Sequence, residues 1–146
     1  ARVAGVRRAL HDAGLKLPPQ RLVERRYSIA AAREGLRELM AARPAPTAIV
    51  CGNDVLAVGA LLEARRQGIA VPQALSIVGF DDLELARQLQ PALTTVRVPA
   101  EEMWRAAADR LIAALRGEAV QRATEIEVAL VVRESTAAAP RRRRKG

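Results

Sequence analysis

Short apolar runs rich in β-branched residues alternate with longer amphipathic stretches along this chain, and this alternation constrains the fold most strongly. The apolar runs predict strands over residues 47–51, 75–80, 94–98 and 125–132, with a further short candidate at Leu22 and Val23. The amphipathic stretches predict helices over residues 2–14, 28–42, 55–67, 83–90 and 100–116. Such a succession is typical of the α/β class, because parallel strands need long, usually helical crossover connections. We therefore predict a three-layer αβα fold with a mainly parallel sheet.

Residues that favour helix ends stand where these stretches begin and finish. Ser28 is placed to cap the second helix, because its hydroxyl can accept from a free backbone N–H group. Pro99 precedes the last helix, a position where its missing N–H group costs nothing. Gly14, Gly68 and Gly117 follow the last periodic residue of three helices, as C-terminal glycines do.

The net charge of +8 is concentrated at one end of the chain. Five of the 24 basic residues lie at positions 141–145, so residues 1–140 hold 19 basic and 16 acidic side chains. We interpret residues 141–146 as a disordered basic tail behind a single domain formed by residues 1–140. A folded nucleic-acid groove would instead need basic side chains clustered on one face.

Several classes of site are absent from the sequence. The single cysteine, Cys51, allows neither an intrachain disulfide nor a thiolate metal cluster, and His11 is the only histidine. None of the common nucleotide-binding or nucleophile-elbow motifs occurs. No run approaches the ~18 apolar residues that span a membrane, and the first residues lack the apolar stretch of a signal peptide. We expect no cofactor, no metal, no catalysis and a cytoplasmic location.

Polar residues follow directly after two of the predicted strands. Asn53 and Asp54 come after the strand at 47–51, and Asp81 and Asp82 come after the strand at 75–80. Ligands of open parallel sheets bind beyond the carboxyl ends of the strands, where a carboxylate and an amide can recognise hydroxyl or ring N–H groups. We interpret Asp54 and Asp82 as caps of the following helices and Asn53 and Asp81 as facing the crevice. Spacing alone leaves helix capping an equally good explanation for all four.

Motifs in a fixed order add to this interpretation. The runs PTAI, GND, GIAVP, LSIVGFDD and PALTTVRVP occur between residues 46 and 99, and RVAGVRRALHDAGL precedes them. Together they resemble the C-terminal part of the effector-binding domain of the LacI/GalR bacterial transcription regulators. The resemblance implies a type I periplasmic-binding-protein-like subdomain that senses a small molecule, such as a sugar or a nucleoside-like compound.

The resemblance also implies the residues of the site. Arg2 corresponds to an arginine that reaches the effector, and Tyr27 to an aromatic residue that stacks on it. Asn53 and Asp81 correspond to the polar residues that hold hydroxyl groups or ring nitrogens. Family members dimerise through this part of the domain, which implies an interface that contains five residues: Val55, Leu56, Leu62, Leu85 and Leu89.

Family members carry a helix-turn-helix DNA reader and a first sensor subdomain before this part. We therefore expect the chain to be a partial domain that binds effector weakly or not at all, and that contacts DNA only through a helix-turn-helix segment outside it. The helix at 100–116 packs in the other subdomain of the family fold. We expect its apolar stripe to lack a partner here, so that the helix is swapped, docked on a neighbour or mobile.

Two other functions remain open from the sequence. A periplasmic sugar-binding protein of a transport system would share the fold and the polar strand ends. A flavodoxin-like enzyme or phosphoacceptor would use Asp81 or Asp82 with a magnesium ion, although no lysine is suitably placed for it.

Overall fold

The computed structural model of the protein describes residues 2–121 and 123–139. Within these ranges the helices are α1 (Arg2–Asp12), α2 (Ile29–Ala41), α3 (Asp54–Arg66), α4 (Glu84–Gln88) and α5 (Ala100–Leu115). The strands are β1 (Ala48–Val50), β2 (Ser76–Asp81), β3 (Thr94–Arg97) and β4 (Ala129–Val131). A single turn of 3₁₀-helix covers Pro19–Arg21.

The four strands form one sheet in the order β1-β2-β3-β4. The first three strands are parallel, with Val50 opposite Val78 and Val78 opposite Thr94. The last strand runs antiparallel to β3 and places Ala129 opposite Arg97. The prediction of an α/β fold with a mainly parallel sheet is confirmed, and α3 and α4 provide the crossovers between the parallel strands.

The core lies between the sheet and α3, and α2 packs against α3 and adds Leu36 to the core. Alanines on α3 allow both close approaches: Ala57 and Ala64 are fully buried and Ala60 nearly so. The larger buried side chains come from α2, the sheet and the segments before β2 and β3: Leu36, Leu75, Ile77 and Leu93. The buried core is built from aliphatic side chains and contains no aromatic residue, in keeping with the three aromatic residues of the whole sequence.

The predicted helix ends are largely confirmed. The Ser28 hydroxyl accepts a hydrogen bond from the Ala31 backbone N–H group at 3.2 Å and so caps α2. Gly68 follows α3 with a φ of +68°, a left-handed conformation that glycine adopts without steric cost. Helix α5 begins after Pro99 and is followed by Gly117, as predicted.

Three predicted elements differ from the structure. Leu22 and Val23 form no strand: the described strands pair among themselves, and a strand without a hydrogen-bonded neighbour is not stable. The helix predicted over 83–90 is a short segment, Glu84–Gln88, and the strand predicted over 125–132 pairs only at Ala129–Val131. The predicted basic tail at 141–146 lies outside the described residues.

Helix α5 lies apart from the core. It contains no buried residue, and its Trp104, Leu111 and Leu115 side chains are exposed. This agrees with the expectation that its apolar stripe would lack a partner. Among the helices that the structure describes, none combines the length and the apolar character needed to cross a membrane.

Candidate functional site

The polar residues predicted for the site lie at the carboxyl ends of two neighbouring strands. Val50 on β1 stands opposite Val78 on β2, and Asn53 and Asp81 each lie three residues further along. Because β1 and β2 are parallel and adjacent, both residues emerge at the same edge of the sheet. The structure therefore brings Asn53 and Asp81 to the same end of the sheet.

Asn53, rather than Asp54, caps helix α3. Its backbone is extended, and its Oδ1 atom accepts a hydrogen bond from the Leu56 backbone N–H group at 2.9 Å. The prediction that Asp54 is the cap is wrong, because the helix begins one residue earlier than expected. Among the described residues the Asn53 side-chain nitrogen donates no hydrogen bond, so Asn53 can cap α3 and still offer a donor to a ligand.

Asp54 instead makes hydrogen bonds to the sheet and to the turn after β2. Its carboxylate is buried and accepts hydrogen bonds from the Thr95 hydroxyl at 2.6 Å and the Leu83 backbone N–H group at 2.8 Å. Gly79 makes this position possible, since a Cβ atom at residue 79 would overlap with Asp54 Oδ1 and crowd the Leu93 side chain. Asp54 thus joins α3, β3 and the turn after β2.

Asp81 ends β2 in an unusual backbone conformation. Its φ is +115°, and that of Asp82 is +55°, so two consecutive non-glycine residues occupy the region that disfavours a Cβ atom. Burial raises the pKa of the Asp81 carboxyl, the Arg2 guanidinium lowers it, and the nearby Asp54 charge raises it again. The net effect is a raised pKa for this partly buried carboxyl.

Arg2 and Tyr27 lie beside these strand ends. The Arg2 guanidinium stacks over the Phe80 ring, 4.1 Å from its centroid, which places its charge next to Asp81. The exposed Tyr27 ring lies beside Gly52, where a Cβ atom would stand 3.9 Å from the ring carbon Cε1. All four predicted effector-binding residues are therefore gathered around the ends of β1 and β2.

Asp82 does not cap α4 as predicted. Leu83 occupies the N-cap position and makes no side-chain cap. The Asp82 carboxylate instead accepts from Arg133 Nη2 at 2.5 Å and Arg97 Nε at 2.7 Å, with Arg87 Nη2 at 3.5 Å. Burial opposes ionisation, but the hydrogen bonds from Arg133 and Arg97 outweigh it and lower the pKa of Asp82.

The edge offers recognition chemistry rather than a reactive group. A cation, an aromatic ring, an amide donor and a carboxylate stand together, which suits a guest with several hydroxyl or ring N–H groups. Cys51, at the end of β1, is not an available nucleophile, because burial first and the Asp54 charge second raise its pKa to about 12. Within residues 2–121 and 123–139, no three potential metal ligands are grouped.

The residues predicted for a dimer interface differ in exposure. Leu62 on α3 and Leu85 on α4 are exposed, whereas Val55, Leu56 and Leu89 are partly buried. Leu62 and Leu89 line a shallow groove of about 510 Å³ together with Ile69, Val71 and Pro91. The face formed by α3 and α4 therefore carries exposed apolar side chains.

Comparison with known proteins places the chain in a family. The sequence profile described as the periplasmic binding protein-like domain matches residues 1–136. The chain belongs to this family. The match extends over nearly all of the sequence, including both strand ends that carry the site.

Several proteins similar to this periplasmic binding protein-like domain are transcription regulators. The transcriptional repressor CytR of Escherichia coli K12 is 35% identical over 95% of this chain, and the ribose operon repressor of Haemophilus influenzae is 36% identical over 92%. The chain spans only 41% of the length of either repressor. A sugar-binding regulator of the LacI family from Escherichia coli, solved with phosphate, is 34% identical with a TM-score of 0.82, covering 95% of this chain and 50% of that one. The resemblance to LacI/GalR regulators is confirmed.

The two arginines that donate hydrogen bonds to Asp82 in this periplasmic binding protein-like domain were not predicted from the sequence. Arg97 and Arg133 lie 15 and 51 residues away from Asp82 along the chain. The only signal was the strand register, in which Arg97 stands opposite Asp81, and that register depends on knowing that β2 and β3 are neighbours.

Proposed function

We propose that this chain is the effector-sensing and dimerisation part of a DNA-binding transcription regulator and that it has no enzymatic activity. One observation supports this proposal most strongly. The side chains expected to bind the effector lie near the same end of the parallel sheet: Arg2, Tyr27, Asn53 and Asp81. The repressors among its relatives favour this function over that of a periplasmic transport protein.

The chemistry of the edge indicates the class of effector. Arg2 and the Asn53 amide donate, Asp81 accepts, and Tyr27 offers an aromatic face, which together fit a sugar or a nucleoside-like molecule. Removal of one hydroxyl from such a guest would leave a buried polar atom unpaired and so weaken binding. No cofactor is needed for this recognition.

The other partners follow from the regulatory role. In the intact regulator a helix-turn-helix unit outside this chain would contact DNA, and two copies would pair through α3 and α4. A regulator that acts on bacterial DNA works in the cytoplasm. Effector binding would change the geometry presented to DNA through its different affinities for two arrangements of the intact protein.

Ligand titration of the ¹⁵N-labelled chain tests the sensor function. We expect ribose, adenosine or a disaccharide, at millimolar concentration, to shift the amide resonances of residues 52–54 and 80–82. Weak affinity is expected because this chain supplies only one side of the crevice. Asp81→Ala should abolish the shifts, whereas Asp109→Asn, on the exposed α5, should leave them unchanged.

Two results would contradict the proposed site. One is that the shifts cluster away from the ends of β1 and β2, and the other is that Asp81→Ala leaves the shifts unchanged. Micromolar affinity measured by isothermal titration would overturn the expectation of weak binding while leaving the sensor function intact.

A further inference from the structure

The turn after β2 holds a conformation that its own residues disfavour. Asp81 and Asp82 both have positive φ values, +115° and +55°, although neither is glycine. Such conformations persist only where surrounding contacts hold them in place. The contacts that hold this turn therefore decide how the Asp81 carboxylate is presented to the crevice.

Asp82 supplies most of those contacts. Its side chain is only 2% exposed, and its two carboxylate oxygens accept from Arg133 and Arg97 respectively. Arg133 is itself fixed, because its Nη1 atom donates to the Leu93 carbonyl at 2.8 Å and its backbone N–H group donates to the Thr94 hydroxyl at 2.9 Å. The carboxylate thus joins the turn to two arginines, of which Arg133 is held by further contacts.

These arginines lie on or just beyond the two strands that flank α5 along the chain. Arg97 is the last residue of β3 and stands opposite Ala129, the first residue of β4, while Arg133 lies two residues beyond the end of β4. We call β3 and β4 the stem of α5. The Asp82 carboxylate therefore binds an arginine on each side of the stem, and Asp82 directly follows Asp81, the residue proposed to bind the effector. We call this pair of contacts the clasp.

We propose that Asp82 is a positioning residue of the effector site, which keeps Asp81 in its left-handed conformation by clasping the stem through Arg97 and Arg133. The proposal rests on the proposed function for its link to an effector, and it deepens that function by naming how the site is held. Because coupling is reciprocal, a ligand that contacts Asp81 acts on the stem through the same clasp.

The fold should tolerate loss of the Asp82 charge. Asp54 anchors the other end of the turn independently, since it accepts from the Leu83 backbone N–H group at 2.8 Å. Asp82→Asn keeps the shape of the side chain and removes only the charge that holds two arginines. The effect should accordingly be local to Asp81 and to the stem.

Backbone NMR of the labelled chain tests the positioning role without any ligand. In Asp82→Asn we expect the chemical shifts and the HN–Hα coupling of Asp81 to move towards ordinary extended values. We also expect faster amide exchange in β3 and β4 but not in α2 or α3. Arg87→Gln is the matched control, because Arg87 makes the longest of the three contacts and is largely exposed.

The ligand experiment then connects the clasp to sensing. With a compound that shifts residues 52–54 and 80–82 of the wild type, Asp82→Asn should weaken binding about tenfold, within the usual range of coupling between sites. Arg87→Gln should bind as the wild type does. Unfolding by urea, followed in parallel, separates a loss of affinity from a loss of fold.

The two proposals fail in different ways. An unchanged Asp81 conformation in Asp82→Asn overturns the positioning role, whatever the chain binds. Ligand shifts that Asp81→Ala leaves unchanged overturn the proposed effector site and leave the conformational result standing. Should Asp82→Asn not fold, Arg97→Gln and Arg133→Gln, made separately and together, decide the same question: the two single variants each leave Asp82 paired with one arginine, and an Asp81 conformation that is unchanged in the double variant overturns the positioning role.

Discussion

Glu63 shows how a single charged residue joins two helices. It lies on α3, its side chain is entirely covered, and the groups that cover it are themselves partly exposed arginines. Arg66 donates at 2.8 Å, Gln67 at 3.0 Å and Arg33 of α2 at 3.1 Å. Hydrogen bonds from Arg66 and Gln67 in particular lower the pKa of this carboxyl to about 2, against the effect of burial.

This lowered pKa predicts how stability depends on pH. The folded protein holds the Glu63 carboxylate ionised down to about pH 2, whereas the unfolded chain takes up a proton near 4.5. Its contribution is therefore fully present above pH 4.5 and is lost as the pH falls from there to 2. We expect Glu63→Gln to lower the free energy of unfolding at pH 7 and to have progressively less effect at pH 4 and pH 2, measured by urea denaturation.

A matched control removes an exposed carboxylate from another arginine pair. Glu101→Gln breaks the contact with Arg105 on α5, where both side chains are largely exposed and the interaction is screened by water. We expect this variant to match the wild type at each pH. A Glu63→Gln effect of the same size at pH 2 as at pH 7 would contradict the proposed origin of the pKa.

Helix α5 is a regular helix, but none of its residues is buried by the described part of the chain. Its most exposed apolar side chains are Trp104 (67%), Leu111 (62%) and Leu115 (79%). Since tertiary packing supplies most of the stability of a protein helix, a helix without it opens readily. The element is therefore defined locally, and burial within the described part of the chain contributes little to its stability.

Amide hydrogen exchange measures that difference between elements. In a dilute monomeric sample we expect the amides of α5 to exchange much faster than those of α3, whose residues Ala57, Ala60 and Ala64 are buried. Trp104→Lys should leave the urea midpoint of the remaining fold almost unchanged, because the side chain it removes is already exposed. Strong protection throughout α5 would contradict this expectation.

Association of two whole chains is expected through the face formed by α3 and α4. Leu62 and Leu85 are exposed there, and the neighbouring groove is lined by apolar side chains such as Ile69 and Leu89. Apolar surface of this kind is stabilised by contact with a partner, and a two-fold axis would place the same patch on both copies.

Sedimentation equilibrium tests this interface. We expect the wild type to dimerise and Leu62→Glu and Leu85→Glu each to shift the equilibrium towards monomer, because each places a charge in an apolar contact. Leu15→Glu changes an exposed leucine beyond α1 and should leave the dimer intact. A monomeric wild type at high concentration, or equal effects of all three variants, would overturn the proposed interface.

The order and type of most elements could be predicted because their causes are local. Apolar periodicity, the Ser28 cap and the glycines after α3 and α5 act within a few residues, and the structure confirms them. The strand ends that carry Asn53 and Asp81 were visible for the same reason. The motif order between residues 46 and 99 was long enough to indicate the family that the comparisons confirm.

Pairings between distant residues depended on the assembled sheet. Leu22 and Val23 look like a strand locally, but a strand exists only where a neighbour completes its hydrogen bonds. Asp54 and Asp82 look like helix caps, yet each finds a stronger partner: Thr95 for Asp54, and Arg97 with Arg133 for Asp82. Buried carboxylates require such partners, and which ones are within reach is set by the strand order and register, which no local pattern encodes.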